Sequence, residues 1–196
     1  MGEGGCVTTN NQTIAEDIIN KRSHGIIKDK NKFQSIPEIN APWYYEMKNL
    51  GWNYRADEMS CALGLSQLKR LKKNIQKRNM LVDLYFKFLK SSDYFDLPKK
   101  DEALFSNVWH LFPIKINFKK LKKSRGAVMV ELASNGIGTQ VHYIPLYLQP
   151  YYKQRNIKQY SGASKYYDST LSLPLYTQLK KEDISFISKK IKDILK

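Results

Sequence analysis

The chain has 196 residues, of which 42% are hydrophobic and 12% are aromatic. This apolar content can form a buried core, which excludes a wholly disordered chain, and the length suits one domain or two small ones. No apolar run approaches the roughly 20 residues that a membrane-spanning helix needs, and we expect no secretory leader. Two cysteines do not form a disulfide framework, so we expect a reducing, cytoplasmic setting without a membrane partner.

The net charge is strongly positive, since 33 lysines and arginines outnumber 18 acidic residues to give +15. A basic chain is a candidate nucleic-acid-binding protein. The lysines, however, are spread from Lys21 to Lys196, and arginine, which recognises phosphate and guanine best, is scarce. We therefore favour a solvated basic surface with no nucleic-acid partner, and basic nucleic-acid binding remains an alternative.

Several segments have the three-to-four-residue apolar spacing of amphipathic helices. The first covers residues 13–22, with Asn10 or Asn11 as its cap. The strongest begins at Asp57-Glu58, whose carboxylates suit the positive end of a helix, and runs to residue 89 as one long helix or two abutting ones. Two more helices are predicted, over residues 119–135 and at the C-terminal end of the chain.

Three β segments are predicted, at residues 6–9, 109–116 and 139–143, and residues 23–40 are predicted to form a loop. In the second segment Pro113 favours an edge position or a bulge. No series of parallel strands alternates with helices. We therefore expect helices with a small antiparallel sheet, and not a complete doubly wound sheet.

The residues alone carry few chemical signals. His24, His110 and His142 lie far apart and no Cys-x-x-Cys occurs, so no metal site is predicted. Cys61 lies on the apolar side of the long helix, where we expect it in the core. Asn53 and Arg55 are polar residues next to the aromatic residues Trp52 and Tyr54, and they suit a surface turn as well as a phosphate contact.

Four segments, in their order and spacing, resemble the DegT/DnrJ/StrS family of sugar aminotransferases. They are Gly2-Glu3-Gly4-Gly5 with Val7-Thr8-Thr9-Asn10, Arg22-Ser23-His24-Gly25, Gly51-Trp52-Asn53-Tyr54-Arg55 with Ala62-Leu63-Gly64-Leu65-Ser66-Gln67-Leu68, and Gly136-Ile137-Gly138-Thr139-Gln140-Val141-His142-Tyr143-Ile144-Pro145. Three further segments look more narrowly like the subfamily of the pseudaminic-acid pathway: Tyr44-Tyr45-Glu46-Met47, Tyr147-Leu148-Gln149-Pro150-Tyr151-Tyr152 and Leu171-Ser172-Leu173-Pro174-Leu175-Tyr176. The resemblance covers nearly the whole chain, but only about the C-terminal half of a family member.

This resemblance implies a fold that is α/β and α+β, the C-terminal portion of a type I aminotransferase dependent on pyridoxal phosphate (PLP). Residues 1–78 would be the C-terminal remnant of the large PLP-binding domain with the start of the connecting helix. Residues 79–196 would form the small domain, with an antiparallel sheet and helices. The implied protein partners are a second copy in a homodimer or a complementing N-terminal half.

The resemblance also implies an activity, the transfer of an amino group, with glutamate as the expected donor, to a keto carbon of a UDP-linked deoxy sugar. The pathway would be surface-glycan or pseudaminic acid biosynthesis, with PLP as cofactor. The implied cofactor-binding residues are Asn53, Arg55 and Gly4, and Asn53 would reach the cofactor phosphate of the other subunit. The implied residues for the nucleotide-sugar substrate are His24, His142, Tyr143 and Tyr147, although ordinary packing is the alternative role for both tyrosines and an ordinary strand-end position is the alternative for His142.

One departure from the family matters for catalysis. In the family the Schiff-base lysine lies a few residues before the Gly-Glu-Gly-Gly segment, whereas here Met1 directly precedes Gly2. We therefore expect no catalytic residue in this chain and no transamination by the chain alone. The alternative function is a non-catalytic remnant or interaction module. We also expect a bare apolar face on the helix over residues 57–89.

Overall fold

The computed structural model describes residues 2–34, 40–100, 107–153 and 158–196. The chain divides into two compact units, Met1–Arg70 and Leu71–Lys196. Helix α2 (Glu58–Phe88) contributes residues to both of them. Within the described residues, no helix combines the length and the apolar character that crossing a membrane requires.

The first unit contains helix α1 (Gln12–Lys21) and a two-stranded antiparallel sheet, in which β1 (Ile26–Ile27) pairs with β2 (Glu46–Met47). The Asn11 side chain accepts a hydrogen bond from the backbone N–H of Ile14, at 3.1 Å, which confirms the predicted helix and its cap.

Two predictions for this unit are wrong. Residues 6–9 form no strand and are exposed, because no described strand lies beside them to complete the backbone hydrogen bonds. The predicted loop over residues 23–40 contains β1 and a short 3-10 turn, Lys30–Lys32. Residues 35–39 of that loop, with Pro37, lie outside the described residues.

Helix α2 is one continuous helix of 31 residues. At its start the Asp57 carboxylate accepts a hydrogen bond of 2.8 Å from the backbone N–H of Ser60, and this bond lowers the pKa of Asp57. Its early turns are uncovered: the side chain of Met59 is 82% exposed and that of Leu68 is 63% exposed. Cys61 is therefore exposed, so the prediction that it lies in the core is wrong.

The second unit is built on a three-stranded antiparallel sheet with the order β3 (Phe95–Asp96), β4 (Phe112–Ile116), β5 (Thr170–Leu173). The predicted strand at residues 109–116 is confirmed as β4. The apolar residues of β4 alternate toward the core: Phe112, Ile114 and Ile116 are buried.

Pro113 lies in the central strand, opposite Ser172 of β5. The backbone N–H and carbonyl of Ser172 both hydrogen-bond to the backbone of Gln140 (2.8 and 3.3 Å) and not to Pro113. The missing N–H of Pro113 therefore removes no hydrogen bond from the pairing of β4 with β5. On its other side β4 pairs with β3 only at Lys115 and Ile116. The predicted strand over residues 139–143 is wrong, because its pairing with β5 is limited to the Gln140–Ser172 bridge.

Four short or medium helices and a longer terminal one surround this sheet. They are α3 (Phe118–Leu121), α4 (Arg125–Ser134), α5 (Pro150–Lys153), α6 (Ser161–Ser169) and α7 (Lys181–Ile194). The single helix predicted over residues 119–135 is divided, because Lys122 adopts a left-handed conformation (φ 55°) and the Ser124 side chain caps α4. The predicted end at Asn135-Gly136 is confirmed, with Gly136 at φ 75°.

The core of the second unit unites the later turns of α2 with the sheet and with α4 and α7. Its fully buried side chains include Leu81, Val82, Tyr85, Leu89, Phe112, Ile114, Val128, Leu132, Leu171, Ile184 and Ile191. Two polar groups of α2 also fix its position. One Arg78 nitrogen donates to the carbonyls of His110 (3.1 Å) and Leu175 (2.9 Å), and the Tyr85 hydroxyl donates to the carbonyl of Pro174 (2.8 Å). Burial raises the pKa of Tyr85 well above its ordinary value.

Replacing Tyr85 with phenylalanine leaves the Pro174 carbonyl without its partner while keeping the ring. We expect the Tyr85→Phe variant to lose about 1–2 kcal/mol of unfolding free energy, measured by urea denaturation. Tyr166→Phe is the control, because Tyr166 lies on the surface and makes no hydrogen bond through its hydroxyl to the described residues. Equal stability of the two variants would contradict the importance of the Tyr85 bond.

Candidate functional site

The first unit brings two distant segments together backbone to backbone. The backbone N–H of His24 donates to the carbonyl of Trp52 (2.9 Å). In the other direction, the N–H of Trp52 donates to the carbonyl of Lys21 (2.8 Å) and the N–H of Tyr54 donates to the carbonyl of Arg22 (2.9 Å). We call this pairing of residues 21–25 with residues 51–54 the glycine crossing, because it depends on one glycine from each segment.

Neither glycine of the crossing has room for a side chain. A Cβ on Gly25 would lie 1.8 Å from the carbonyl oxygen of Asn49, and Gly25 also has a φ of 68°, which side chains disfavour. A Cβ on Gly51 would lie 2.3 Å from the backbone nitrogen of Gly25. Since the obstructing atoms belong to the backbone, no side-chain movement would relieve the overlap.

The crossing also sets the direction of the next side chains. Trp52 and Tyr54 stack with their ring centres 5.6 Å apart and their planes 13° apart, so they occupy one side of the segment. In an extended segment the alternate residues point the other way, which places Asn53 and Arg55 on the opposite side. Asn53 lies across from Ser23 in an antiparallel bridge.

A cleft of about 720 Å³ lies beside the crossing, and its lining includes Ser23, His24 and Arg55. Lys28, Lys32, Asp29 and Glu16 supply its other charges. Lys32 and Glu16 form an ion pair of 2.7 Å, and the hydrogen bond from Lys32, aided by one from Gln12, lowers the pKa of Glu16.

The polar groups of Asn53 and Arg55 are available to a ligand. Among the described residues, none hydrogen-bonds to the Asn53 carboxamide and no carboxylate pairs with the Arg55 guanidinium. Both residues are exposed. An amide donor and a guanidinium on one side of an extended segment suit the oxygens of a phosphate.

The remaining predicted substrate residues lie in the second unit. Nδ1 of His142 is 2.9 Å from Oγ of Ser172, and the His142 ring packs edge-on against Tyr143 with centroids 4.7 Å apart. The Tyr143 side chain is 75% exposed. Tyr147 is buried, and its hydroxyl is 2.5 Å from Oγ of Ser164.

The structure therefore groups His24, Asn53 and Arg55 in the first unit and the other three predicted substrate residues in the second. Gly4 lies in the exposed N-terminal stretch and does not line the cleft. The roles assigned to these residues stay predictions. Sequence reasoning missed Ser172 as a partner of His142, and the only available signal was a serine between the leucines of an apolar segment. In the part of the chain that the structure describes, no three metal-binding side chains cluster.

Comparison with known proteins identifies the chain. Residues 1–192 match the model of the DegT/DnrJ/EryC1/StrS aminotransferase family. The chain belongs to this family. Its aminotransferase relatives include the UDP-4-amino-4,6-dideoxy-N-acetyl-beta-L-altrosamine transaminase of Campylobacter jejuni, 34% identical over 98% of this chain and 48% of the relative. A second relative, the spore coat polysaccharide biosynthesis protein SpsC of Bacillus subtilis, is 33% identical over the whole chain and 50% of its own length.

Solved structures of the family share the fold. Helicobacter pylori PseC, an aminotransferase involved in the biosynthesis of pseudoaminic acid, superposes with a TM-score of 0.78 at 30% identity, over 95% of this chain and 47% of PseC. Spr1654 from Streptococcus pneumoniae, described as a sugar aminotransferase, was solved in a PMP form and superposes with a TM-score of 0.80 at 25% identity, over 95% of this chain and 44% of its own. The predicted family and fold class, a partial type I aminotransferase, are confirmed, and this family depends on PLP. The chain spans about half the length of the curated relatives it matches.

The close backbone contact at the glycine crossing predicts that a side chain at Gly51 destabilises the first unit. We expect Gly51→Ala to unfold the first unit or lower its melting temperature by several degrees, because the new Cβ overlaps the backbone of Gly25. The measurement is a thermal melt monitored by tryptophan fluorescence, which reports on Trp43 and Trp52 in the first unit and on Trp109 in the second. The matched control is Gly162→Ala in helix α6, where a Cβ meets nothing within 4 Å and alanine favours the helix. Unchanged melting of Gly51→Ala would contradict the close backbone approach.

Proposed function

We propose that the chain forms the C-terminal half of a PLP-dependent transaminase that moves an amino group from glutamate to a keto carbon of a UDP-linked deoxy sugar. The names of the relatives from Campylobacter jejuni and Helicobacter pylori, both UDP-sugar transaminases at 34% identity, support the substrate class. The pathway we propose is surface-glycan or pseudaminic acid biosynthesis in the cytoplasm. The observation that carries the proposal is that Asn53 and Arg55 lie on one side of the glycine crossing and that no described residue hydrogen-bonds to the Asn53 carboxamide or supplies a carboxylate to the Arg55 guanidinium.

The donor set at the crossing fits the phosphate group of PLP. We propose that Asn53 donates its carboxamide N–H to that phosphate and that Arg55 neutralises its charge, across the interface of a homodimer. Gly4, without a side chain, would leave room for the cofactor. When bound, PLP supplies an electron sink that stabilises the substrate carbanion. The part of this chain is to bind and orient the phosphate end.

We propose His24 in the first unit, and His142 and Tyr143 in the second, as separate candidate contacts for the nucleotide sugar. His24 lies at the cleft beside Arg55, so it suits a phosphate or sugar oxygen. His142 presents a ring held by Ser172, and Tyr143 offers an exposed face for stacking on a base or sugar. Tyr147, through its bond to Ser164, would position the chain segment that follows Tyr143.

The domain division and the complementing half remain part of the proposal. We propose residues 1–78 as the end of the large domain and residues 79–196 as the small domain. Since the chain spans about half the length of its relatives, transamination would require the half that it does not match. The exposed apolar side chains of early α2, such as Met59 and Leu68, suit packing against that half.

Complementation tests the proposed function. The chain is co-expressed with a polypeptide that supplies the N-terminal half of a family member, and the purified pair is mixed with PLP, glutamate and UDP-linked keto sugar. We expect the pair to show the visible absorbance of lysine-bound PLP and to form the amino sugar, and the chain alone to do neither. A pair that assembles but forms no amino sugar contradicts the proposed function. Turnover by the chain alone contradicts the proposal that the transaminase also needs an N-terminal half.

The phosphate contact is tested by removing its donors. In the complemented protein we expect Arg55→Gln to weaken PLP binding by roughly 10- to 100-fold and Asn53→Ala by roughly 2- to 10-fold, since charge-assisted hydrogen bonds are the stronger ones. Affinity is measured by titration of the apoprotein with PLP. Arg70→Gln on the surface of α2 is the charge-matched control. Pyridoxal lacks the phosphate. If the variants weaken the binding of pyridoxal by the same factor as the binding of PLP, the two residues do not contact the phosphate.

A further inference from the structure

The contact between His142 and Ser172 joins a segment outside the sheet to a buried strand. Ser172 lies in the middle of β5 and is 4% exposed. Its backbone N–H donates to the carbonyl of Gln140 (2.8 Å), and its carbonyl accepts from the N–H of Gln140 (3.3 Å). Backbone hydrogen bonds therefore hold both sides of the contact. Gln140, two residues before His142, is bonded to Ser172, and Ser172 itself lies in the sheet.

The hydrogen-bonding capacity of the two groups determines which one donates. A neutral histidine ring carries one N–H donor and one nitrogen acceptor, and a serine hydroxyl has one hydrogen to donate. Among the described residues, Nδ1 of His142 is the sole hydrogen-bond partner of the Ser172 hydroxyl, at 2.9 Å. If Nδ1 carried the hydrogen, the hydroxyl hydrogen of Ser172 would be buried without an acceptor among the described residues, which is energetically unfavourable.

We infer that Ser172 donates its hydroxyl hydrogen to Nδ1 of His142 and thereby fixes the neutral ring with its hydrogen on Nε2. Ser172 is then a positioning residue: it touches no ligand and sets both the orientation and the tautomer of a residue that does. This inference deepens the proposed function, on which its ligand rests.

The tautomer determines what His142 can recognise. Nε2–H is a donor, so His142 binds an oxygen that accepts a hydrogen bond, such as a diphosphate oxygen or a sugar hydroxyl of the nucleotide sugar. With Nδ1 already occupied by the hydroxyl of Ser172, the neutral ring offers no second nitrogen as an acceptor. The serine in β5 would therefore make the contact selective for ligand oxygens.

Long-range ¹H–¹⁵N NMR on the chain labelled with ¹⁵N-histidine tests the tautomer without a ligand. The variant His142→Gln identifies the signals of His142 among the three histidines. We expect the Nε2–H pattern in the wild-type chain and a mixture of both tautomers in Ser172→Ala. The control is Ser188→Ala, because Ser188 is a buried serine with no hydrogen-bond partner in the described residues, and we expect it to leave the pattern unchanged. An Nδ1–H pattern in the wild type, or an unchanged pattern in Ser172→Ala, overturns the inference.

A conservative variant and a titration separate this inference from the proposed function. Ser172→Thr keeps the hydroxyl, and we expect it to keep the Nε2–H pattern, so the inference stays testable if Ser172→Ala fails to fold. We then titrate the wild-type chain with UDP, with uridine as its control, and, separately, with N-acetylglucosamine. A His142 shift with UDP that uridine does not reproduce identifies a diphosphate oxygen as the acceptor, and a shift with N-acetylglucosamine alone identifies a sugar oxygen. No shift with either overturns the ligand contact, while the tautomer result stands independently of it.

In the complemented enzyme, Ser172→Ala should raise KM for the UDP-linked keto sugar by roughly 2- to 10-fold with kcat nearly unchanged, as expected for one lost orienting hydrogen bond. Ser172→Thr should restore KM. A fall in kcat at unchanged KM would overturn the positioning role, and a pair that never forms the amino sugar would refute the proposed function and leave the tautomer result intact.

Discussion

The close approach of two backbone segments at Gly25 and Gly51 is the constraint on which the first unit depends. With no Cβ at either position, residues 51–54 can lie against the end of helix α1 and bond to its last turn. That contact fixes Asn53 opposite Ser23 and directs Arg55 to the cleft. The donors proposed for phosphate binding thus owe their position to backbone packing, which explains how exposed side chains can be directed without a core beneath them.

The second unit obtains its order from an apolar core, and one strand in it has two roles. Strand β5 pairs with β4 on one side, and through Ser172 it holds Gln140 and the ring of His142 on the other. Its leucines, Leu171 and Leu173, belong to the core. A polar residue between two buried leucines therefore links the stability of the sheet to the orientation of a candidate ligand-binding side chain.

Much of the fold could be predicted where periodicity is strong. Helices α1, α2 and α7 and strand β4 follow from apolar spacing, since each buries or presents one face. Residues 6–9 and 139–143 have strand-like sequences but lack a full neighbouring strand, and pairing is not visible in local sequence. Cys61 was misplaced because periodicity identifies an apolar face without saying whether anything covers it.

In the candidate site, too, only the features that depend on neighbouring residues in the sequence could be predicted. Asn53 and Arg55 stand two residues apart, so their shared side follows from an extended segment alone, and the family resemblance drew attention to both. Ser172 lies 30 residues from His142, and no local pattern connects them. A contact between residues so far apart in sequence becomes visible only once the sheet places them together.

Pro113 has an effect beyond its own strand. Beyond the two residues that pair with β3, β4 has no strand partner on that side among the described residues, and Pro113 has no N–H to offer there. A foreign strand that approached there would find the hydrogen-bonding row interrupted at its first step. The sheet thereby discourages uncontrolled strand addition and aggregation along this border, although β4 remains the middle strand of its own fold.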